Sequence, residues 1–496
     1  MKKIILNCRT SEKRVAVLEH DKLVELFYES SEGESIVGNI YKGRVEKVVP
    51  GMQAAFVNIG LERNGFLQID QLANYKSLDL NEKRKVSISN LLHEGQEVIV
   101  QVTKAAFGEK GPRLKTLLEL SGRYVVYMPN DTQIAISKKI NEDEREVWRR
   151  FGQAICDKNE GLIFRTVCTN KTTEVVKKEI EYLKENWSEI DKEQAGKKTP
   201  SLLYKNTDLI EFIVQDLIGD EPTEIIVDDG IVFRKLKERL SIYDDTITEI
   251  KHFINKEDLF SYFGIEQEIP KTLNPYVELE NGASLMIEQT EALTVVDVNS
   301  GKFTGKHNVK ETILKSNELA ALEIARQLRL RNIGGIIIID FINMESQKDR
   351  EYIKNKLNAA LRTDRNYTKV YGFTQLGLLE MTRKKEQKSL LEKLTTTCPT
   401  CHNVGRVYSP EQVTRQLERA LWEYKGMDHE AVWVEVPTPV LELFKANANV
   451  KLRQLEETLG YKILLTSTDQ LINNFEVRNF GTESEIKSRI SKKKTH

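Results

Sequence analysis

Two apolar runs of the chain each end in an aspartate: LTVVDVNSG from Leu293 to Gly301, and GGIIIIDFINM from Gly334 to Met344. Asp297 and Asp340 are therefore the residues whose type and setting point first to chemistry. The uninterrupted β-branched stretch Ile336 to Ile339 has the pattern of a strand covered on both faces. An ionised carboxylate at the end of such a strand is costly unless a cation or hydrogen-bond donors meet it. Between the two runs, Val309, Ile313, Ala320, Ile324 and Leu328 recur at helical spacing, with Lys310, Glu311, Lys315, Glu323 and Arg326 mostly on the other side. The segment reads strand, helix, strand. A crossover of that length normally makes the strands parallel, and adjacent strands lie ~4.8 Å apart. Both aspartates then sit at one sheet edge, where two carboxylates repel each other unless they share a proton or a divalent cation. Magnesium is the hard, oxygen-seeking candidate. The alternative is that one or both only cap the turn that follows.

A second group with metal-ligand spacing is TCPTCHNVGRV, in which Cys398 and Cys401 flank a proline-tightened turn that suits zinc. A structural zinc takes four ligands, and no second such pair exists in the chain. The economical reading is one zinc clamped between the knuckles of two copies in a homodimer. A local third ligand from His402, or a redox-active pair, are the other readings. Cys8, Cys156 and Cys168 are too scattered for a disulfide framework.

The elements that must position these groups follow from patterning. Residues 2–29 alternate like strands, but two or three strands rarely stand alone and need partners from later in the chain. From Ile36 to about Leu120, GNIYKGRVEKVVPG, MQAAFVNIG, NGFLQI and EVIVQVTK are strands broken by Gly, Asn or Pro, which suits the five strands of an OB-type barrel. Within it Phe56 and Phe66 lie near Lys42, Arg44 and Arg63, a combination suited to stacking unpaired bases over a groove that tracks phosphates. Phenylalanine in a strand is also an ordinary core residue. From about Ser121 to Thr207 the pattern gives two strands, a charged helix, the strand GLIFRTVC and a further helix, with Arg165 and Thr166 at a strand end. An arginine fork beside a hydroxyl can bind a terminal phosphate, and a surface salt bridge is the plainer alternative. Residues from Asp208 to about Tyr276 place helices around EIIVDD, an α/β unit able to supply the partners of residues 2–29, which would make the barrel an insertion. After Asp340 a polar helix from Ser346 to Leu361 leads to the strands KVYGFT and GLLEMTRKK. The tail from Pro410 reads helix, strand, helix, with KSRISKKKTH as a frayed, solvated end.

Composition bounds the rest. A chain of 496 residues divides into several domains, and hydrophobic and charged shares of 40% and 30% describe a soluble globular protein. No apolar run approaches a membrane span and the basic N-terminus lacks a signal peptide's central region, so a cytoplasmic protein is expected. With a net charge of -1, a polyanion must be held by local basic patches.

In this order, the motifs GNIYKGRV, AAFVNIG, NGFLQI, GLIFRT, QTEALTVVDVNSG, IIIIDFINM, GLLEMTR and CPTC are similar to those of one family, the ribonuclease E/ribonuclease G endoribonucleases. The resemblance covers essentially the whole chain and, in length, is closest to the ribonuclease G branch, without a degradosome scaffold. It implies an α/β multidomain architecture: an RNase H-like subdomain (1–35 and 208–276) interrupted by an OB-fold RNA-binding domain (36–120) and a 5′ sensor (121–207). A DNase I-like catalytic subdomain (277–395), a zinc link (396–409) and a small α/β dimerisation domain (410–496) would follow. By the same resemblance, Asp297 and Asp340 would bind Mg2+, with Asn299 beside them. Phe56, Phe66 and Lys110 would hold RNA. Arg165 and Thr166 would read a 5′-monophosphate, with backbone help near Gly122 and Val126 and a contribution from Lys138. Zn2+ would be shared between two subunits through Cys398 and Cys401. The expected reaction is magnesium-dependent cleavage of single-stranded RNA, ribosomal RNA precursors and mRNA among them, leaving 5′-phosphate and 3′-hydroxyl ends. A non-catalytic RNA-binding or ribosome-assembly factor is the alternative. Two departures stand out: Lys138 occurs where better-known members carry arginine, and Tyr367 falls where an arginine supports the pocket. The lost bidentate geometry bears on monophosphate discrimination. Asn343 stands near a usually acidic position and is not read as a ligand, and the knuckle continues CHNVG without the glycine usual soon after the second cysteine.

Overall fold

The computed structural model describes residues 2–29, 36–106, 110–169, 171–206, 209–219, 221–243, 248–301, 309–401, 404–468 and 474–493. The chain forms two units, Met1–Lys393 and Leu394–His496. In the first, β1 (Lys2–Asn7), β2 (Lys13–Glu19) and β3 (Lys22–Glu29) form an antiparallel meander. The chain then leaves this sheet. β4 (Ile40–Val49), β5 (Ala54–Asn58), β6 (Gly65–Gln68), β7 (Glu97–Lys104) and β8 (Arg113–Lys115) run in the order β4-β5-β6-β8-β7, and β7 pairs back onto β4. The result is a closed five-stranded barrel around Val45, Val57, Leu67, Val100 and Leu114.

β9 (Leu120–Ser121), β10 (Val125–Met128), β11 (Ile134–Ile136) and β12 (Gly161–Phe164) make a third sheet, ordered β11-β12-β10-β9, with the helices Glu142–Ile155 and Thr173–Gly196. β13 (Ser201–Tyr204) departs from the expected limits of that region, because it pairs antiparallel with β4 of the barrel. β14 (Thr223–Val227) then returns to lie parallel to β1, with β15 (Thr248–His252) outside it, so the first sheet is ordered β15-β14-β1-β2-β3. Residues 2–29 thus find their partners more than two hundred residues on, across the intervening barrel. A single apolar core runs from Ile4, Val17 and Ile225 through Tyr124 and Phe164 to Trp148 and Ile180, so the first and third sheets share their interior.

β16 (Tyr276–Glu278), β17 (Ser284–Gln289), β18 (Leu293–Asn299), β19 (Gly335–Asp340), β20 (Thr368–Phe373) and β21 (Leu379–Arg383) form a sheet ordered β16-β17-β18-β19-β21-β20. The helices Val309–Leu330 and Gln347–Ala360 bury Ala320, Ile324, Leu328, Ile353 and Leu357 against Val296, Ile337, Ile339 and Met381. β19 is not covered on both faces, as its β-branched run suggests: Ile337 and Ile339 are buried, but Ile336 is 50% exposed. Branching at Cβ reports strand propensity, whereas cover depends on which elements pack on each side, and here one face stays open. Val309 likewise lies off the apolar stripe, 70% exposed at the first turn of its helix.

A buried ion-pair network joins the first sheet to the helix behind the aspartate strands. Arg329 donates from Nη2 to Glu25 Oε1 and to Glu19 Oε1, both at 2.7 Å, and Arg365 Nε donates to Glu25 Oε2 at 3.1 Å. Burial pushes the Glu25 carboxyl up, but Arg365 and Arg329 more than offset this and hold it below the usual carboxylate range.

In the second unit β22 (Ala431–Val436), β23 (Lys462–Ser467) and β24 (Glu476–Gly481) form a sheet ordered β23-β22-β24, with β22 buried at every residue. The helices Pro410–Trp422 and Thr438–Leu459 contribute Leu417, Leu421 and Phe444 to its core. The expected frayed end is instead the helix Glu483–Lys493, which buries Ile486 and pairs Lys493 with the buried Glu435 at 2.5 Å. Two isoleucines four residues apart, Ile486 and Ile490, and one buried carboxylate dock an otherwise polar, basic helix.

A carboxyl depressed by folding contributes stability above its unfolded pKa of ~4.3 and loses it as pH falls through the folded value. Glu25→Gln is therefore expected to destabilise the protein by about 3 kcal/mol at pH 7 through uncompensated arginine charge. Urea unfolding should show that difference from the parent shrinking below about pH 4.

Candidate active site and nucleic-acid interface

The parallel pairing of β18 with β19 sets Leu293 against Ile336 and, four residues later, Asp297 directly against Asp340. Both side chains are exposed on the open face of the sheet. Asn299 Nδ2 donates to Asp297 Oδ2 at 2.9 Å, which orients that carboxylate. Register partners share a face, so Met286, Asp297 and Asp340 form one row, and Glu288, Val295, Ile338 and Glu380 form the next. Glu288 and Glu380, both exposed, thus add negative charge beside the aspartates, a placement visible only once the register is known. Among the described residues no cluster of three or more His, Cys, Asp or Glu side chains is arranged to hold a metal ion. Two carboxylates with the remaining positions open suit magnesium, which keeps several waters and takes one or two carboxylates plus phosphate oxygens.

The segments carrying these aspartates are fixed from the buried side. Asn317, fully buried on the helix Val309–Leu330, donates from Nδ2 to the carbonyl of Ile342 at 2.8 Å, and its Oδ1 accepts from the N–H of Ile342 at 3.0 Å. One side chain therefore clamps both backbone groups of a residue two positions beyond Asp340. Asn281 Nδ2 donates to the buried Ser316 Oγ at 2.9 Å. Gly301, with φ of +59°, lets the chain leaving Asn299 press against this loop, since a Cβ there would lie 2.0 Å from the Gly282 carbonyl oxygen. Asn317 and Ser316 escape a reading by motif; the signal for them is two polar residues set between apolar positions of one helix.

On the barrel Phe56 and Phe66 are cross-strand partners with ring centroids 5.7 Å apart in an edge-to-face arrangement. Each is half-buried rather than core. The same lateral row continues to Lys47 on one side and to Arg113 and then Lys104 on the other, all three exposed. Lys110 is exposed shortly before β8. The Lys42 ammonium is committed elsewhere: its Nζ donates to the carbonyls of Gln194 and Lys197, both at 3.1 Å, and pairs with Glu97 at 3.1 Å. Arg44 pairs with Glu97 as well, at 3.2 Å. Lateral register adds Lys47, Arg113 and Lys104 to the aromatic row.

The third sheet brings Gly122, Arg165 and Thr166 together. Glu179, fully buried, accepts from the backbone N–H groups of Arg123 (2.6 Å), Tyr124 (2.7 Å) and Val125 (3.1 Å) and from the Tyr243 hydroxyl (2.6 Å). Burial and the Glu179 carboxylate push the Tyr243 hydroxyl well up, so it keeps the proton it donates. A Cβ on Gly122 would come within 2.5 to 2.8 Å of the Glu179 carboxylate, so only glycine allows this grip. The Gly122 N–H is committed to the Val125 carbonyl, and its own carbonyl accepts from Arg165 Nη1 at 2.8 Å. Gly122 thus holds the guanidinium by its oxygen. Arg165 Nη2 lies 3.6 Å from Asp216 Oδ1, and Thr166 Oγ1 is 2.8 Å from Ser137 Oγ. Lys138, next along, is exposed, and Val126 is half-buried on β10 between Ser121 and Ile163. Tyr367 is 70% exposed just before β20. Ser137 and Asp216 had no sequence signal.

In the second unit Cys398 is exposed and Cys401 partly so. The backbone N–H groups of Cys401 and Thr400 hold the Cys398 thiol below its usual range, as a turn prepared for a thiolate would. A structural zinc takes four ligands, twice what this pair offers. His402, the alternative local ligand, lies outside the described residues.

A barrel carrying this aromatic and cationic row, in one chain with a sheet that presents paired aspartates, has the layout of a nucleic-acid-processing protein. Residues 119–386 match the model of the Ribonuclease E/G family, and residues 34–116 match that of the S1 RNA binding domain. The chain is 36% identical over 481 residues to Ribonuclease G of Haemophilus influenzae, covering 95% of this chain and 97% of that one. It is 37% identical over 467 residues to Ribonuclease G of Escherichia coli K12, covering 93% and 96%. Ribonuclease E of a Nostoc species is 39% identical over 396 residues, 79% of this chain and 57% of that one. The chain belongs to the ribonuclease E/G family. Among its described residues no helix is long and apolar enough to cross a membrane.

Asn317→Leu, similar in volume, leaves the amide and carbonyl of Ile342 without their partner. It is expected to lower stability by about 2 kcal/mol in urea unfolding. Ribonuclease activity should slow by at least about tenfold at a temperature where the variant remains folded.

Proposed function

We propose that this chain is a magnesium-dependent endoribonuclease that cuts single-stranded RNA. The observation that carries the reading is the side-by-side register of Asp297 and Asp340 on an open sheet face, with Asn299 bonded to the first of them. Asp297 and Asp340 would hold the magnesium, which supplies Lewis acidity: it lowers the pKa of a coordinated water and neutralises charge building on the phosphorus oxygens. Asn299 fixes the orientation of Asp297, and its other amide hydrogen would meet the scissile phosphate. Attack by water in line with the 3′ oxygen leaves a 5′-phosphate and a 3′-hydroxyl.

The substrate strand would lie across the barrel, with bases on Phe56 and Phe66 and phosphates beside Lys47, Arg113, Lys104 and Lys110. A stacked duplex cannot offer its base faces to those rings, so unpaired RNA is the expected substrate, ribosomal RNA precursors and mRNA in the cytoplasm among it. Arg165 and Thr166, supported by Gly122, Val126 and Lys138, would bind a 5′-monophosphate and stimulate cleavage. Cys398 and Cys401 would join the same pair of a second copy around one zinc, giving a homodimer.

Asp297→Asn and Asp340→Asn are each expected to reduce cleavage of a single-stranded RNA in magnesium by at least about a hundredfold. Affinity for the RNA, measured by anisotropy, should stay within about threefold, because the barrel supplies it. Loss of binding with an unchanged rate of the bound complex would overturn the metal role, and binding without cleavage by the parent would leave an RNA-binding factor. For the zinc link, metal analysis of the purified protein is expected to give about half a zinc per chain, and Cys398→Ser should shift sedimentation towards monomer. A full zinc per chain that survives dilution to monomer would refute sharing.

A further inference from the structure

Asp216 is a carboxylate placed where a simple anion binder would have none. Its Oδ1 is 3.6 Å from Arg165 Nη2, with the two side chains 42% and 33% exposed. The position is built rather than incidental. Asp216 belongs to the π-helical turn Ile213–Leu217, a rare geometry that recurs at functional sites. This turn is anchored on both sides of Asp216. Gln215 Nε2 donates to the Ser121 carbonyl at 2.7 Å, and Arg123 Nη2 donates to the Gly219 carbonyl at 2.8 Å. Both anchors grip residues 121–123, the segment whose Gly122 carbonyl accepts from Arg165 Nη1. That segment is itself held from beneath by Glu179. The guanidinium therefore lies between a held carbonyl and a carboxylate carried on an anchored turn, and the next residue, Thr166, contacts Ser137.

We propose that Asp216 is a specificity-determining residue that makes this pocket select a 5′-monophosphate over a 5′-triphosphate. The inference rests on the reading of Arg165 and Thr166 as the 5′-phosphate site. A monophosphate brings roughly 1.5 to 2 negative charges at pH 7. A triphosphate brings further charge into the same few ångströms. A carboxylate at the rim opposes every phosphorylated end and opposes the most charged one most, by a factor of roughly three to ten per added charge at this partial exposure. Asp216 thus acts as a repulsive element set against the wrong ligand, while Arg165 and Thr166 supply the attraction.

The test uses the full chain and three short single-stranded RNAs identical except for a 5′ hydroxyl, monophosphate or triphosphate, with affinity and cleavage rate measured at low and raised salt. In the parent the monophosphate is preferred, and raised salt narrows its advantage over the triphosphate. Asp216→Asn is expected to tighten binding of the triphosphate more than that of the monophosphate, relative to the hydroxyl end, so that the preference falls at least about threefold. Asp216→Glu restores the charge and should keep most of the preference. A monophosphate-to-triphosphate ratio in Asp216→Asn equal to that of a discriminating parent overturns the proposal, as does equal loss in Asp216→Asn and Asp216→Glu, which marks a structural role. A parent that treats the hydroxyl and monophosphate ends alike overturns the 5′-phosphate reading itself and this inference with it.

Discussion

Parallel pairing of β18 with β19 is the constraint around which the larger unit is organised. Once Leu293 is aligned with Ile336, the two-residue period of a strand leaves no freedom: Asp297 must face Asp340 across one strand spacing. Like charges at that distance oppose the pairing, so the sheet has to be held by something else. It is held from the opposite face, where Val296, Ile337, Ile339 and Met381 pack on Ala320, Ile324 and Leu328. The Asp364–Arg383 pair, side chains 1% and 4% exposed, locks β21 in turn, with Arg383 Nη1 also donating to the Ile333 carbonyl at 2.9 Å. Repulsion between two solvated carboxylates amounts to about 1 kcal/mol, small against the burial of several aliphatic side chains at ~2 kcal/mol each. The packed face thus tolerates what the open face carries.

The same logic of buried polar anchors recurs wherever a functional segment must not move. Glu179 gathers three backbone amides and a tyrosine hydroxyl beneath Gly122, Asn317 takes both backbone groups of Ile342, and Glu25 sits between Arg329 and Arg365. In each case a long-range side chain satisfies groups that a loop or a strand end would otherwise leave bare. The last of these joins the first sheet to the helix that backs the aspartates, so the barrel's excursion from β3 to β14 begins and ends on a platform tied to the aspartate sheet.

Much of this was legible in the sequence, and the failures have a common cause. Strand runs, the barrel, the crossover helix and the pairing of Asp297 with Asp340 all follow from patterns within a few residues of each other. Even the need of residues 2–29 for a later partner could be argued from the instability of isolated strands, and EIIVDD provides it. What local pattern cannot give is lateral register and the sidedness of packing. Lys42 looked like a phosphate ligand because it is near Phe56 in sequence, yet it points to the carbonyls at the end of the helix Thr173–Gly196, while Lys47, Arg113 and Lys104 reach the aromatic row from three different strands. Ile336 looked buried because branching resembles burial in a one-letter string. The C-terminal helix looked solvated because two isoleucines and one buried glutamate elsewhere in the chain decide its docking. Glu179, Asn317 and Asp216 were missed for the same reason: their partners lie far along the chain.

A net charge of -1 also conceals a separation with mechanistic weight. Cations gather along one row of the barrel, while Glu288, Asp297, Asp340 and Glu380 gather on the open face of the aspartate sheet. A polyanion is attracted to the first surface and repelled by the second. In the magnesium reading, the cation would do more than activate water: its two positive charges would offset those of Asp297 and Asp340 at the one place where a phosphate must come close. In that reading affinity would belong to the barrel and turnover to the metal, and a bound strand would be cut only where a phosphate reaches the neutralised aspartates.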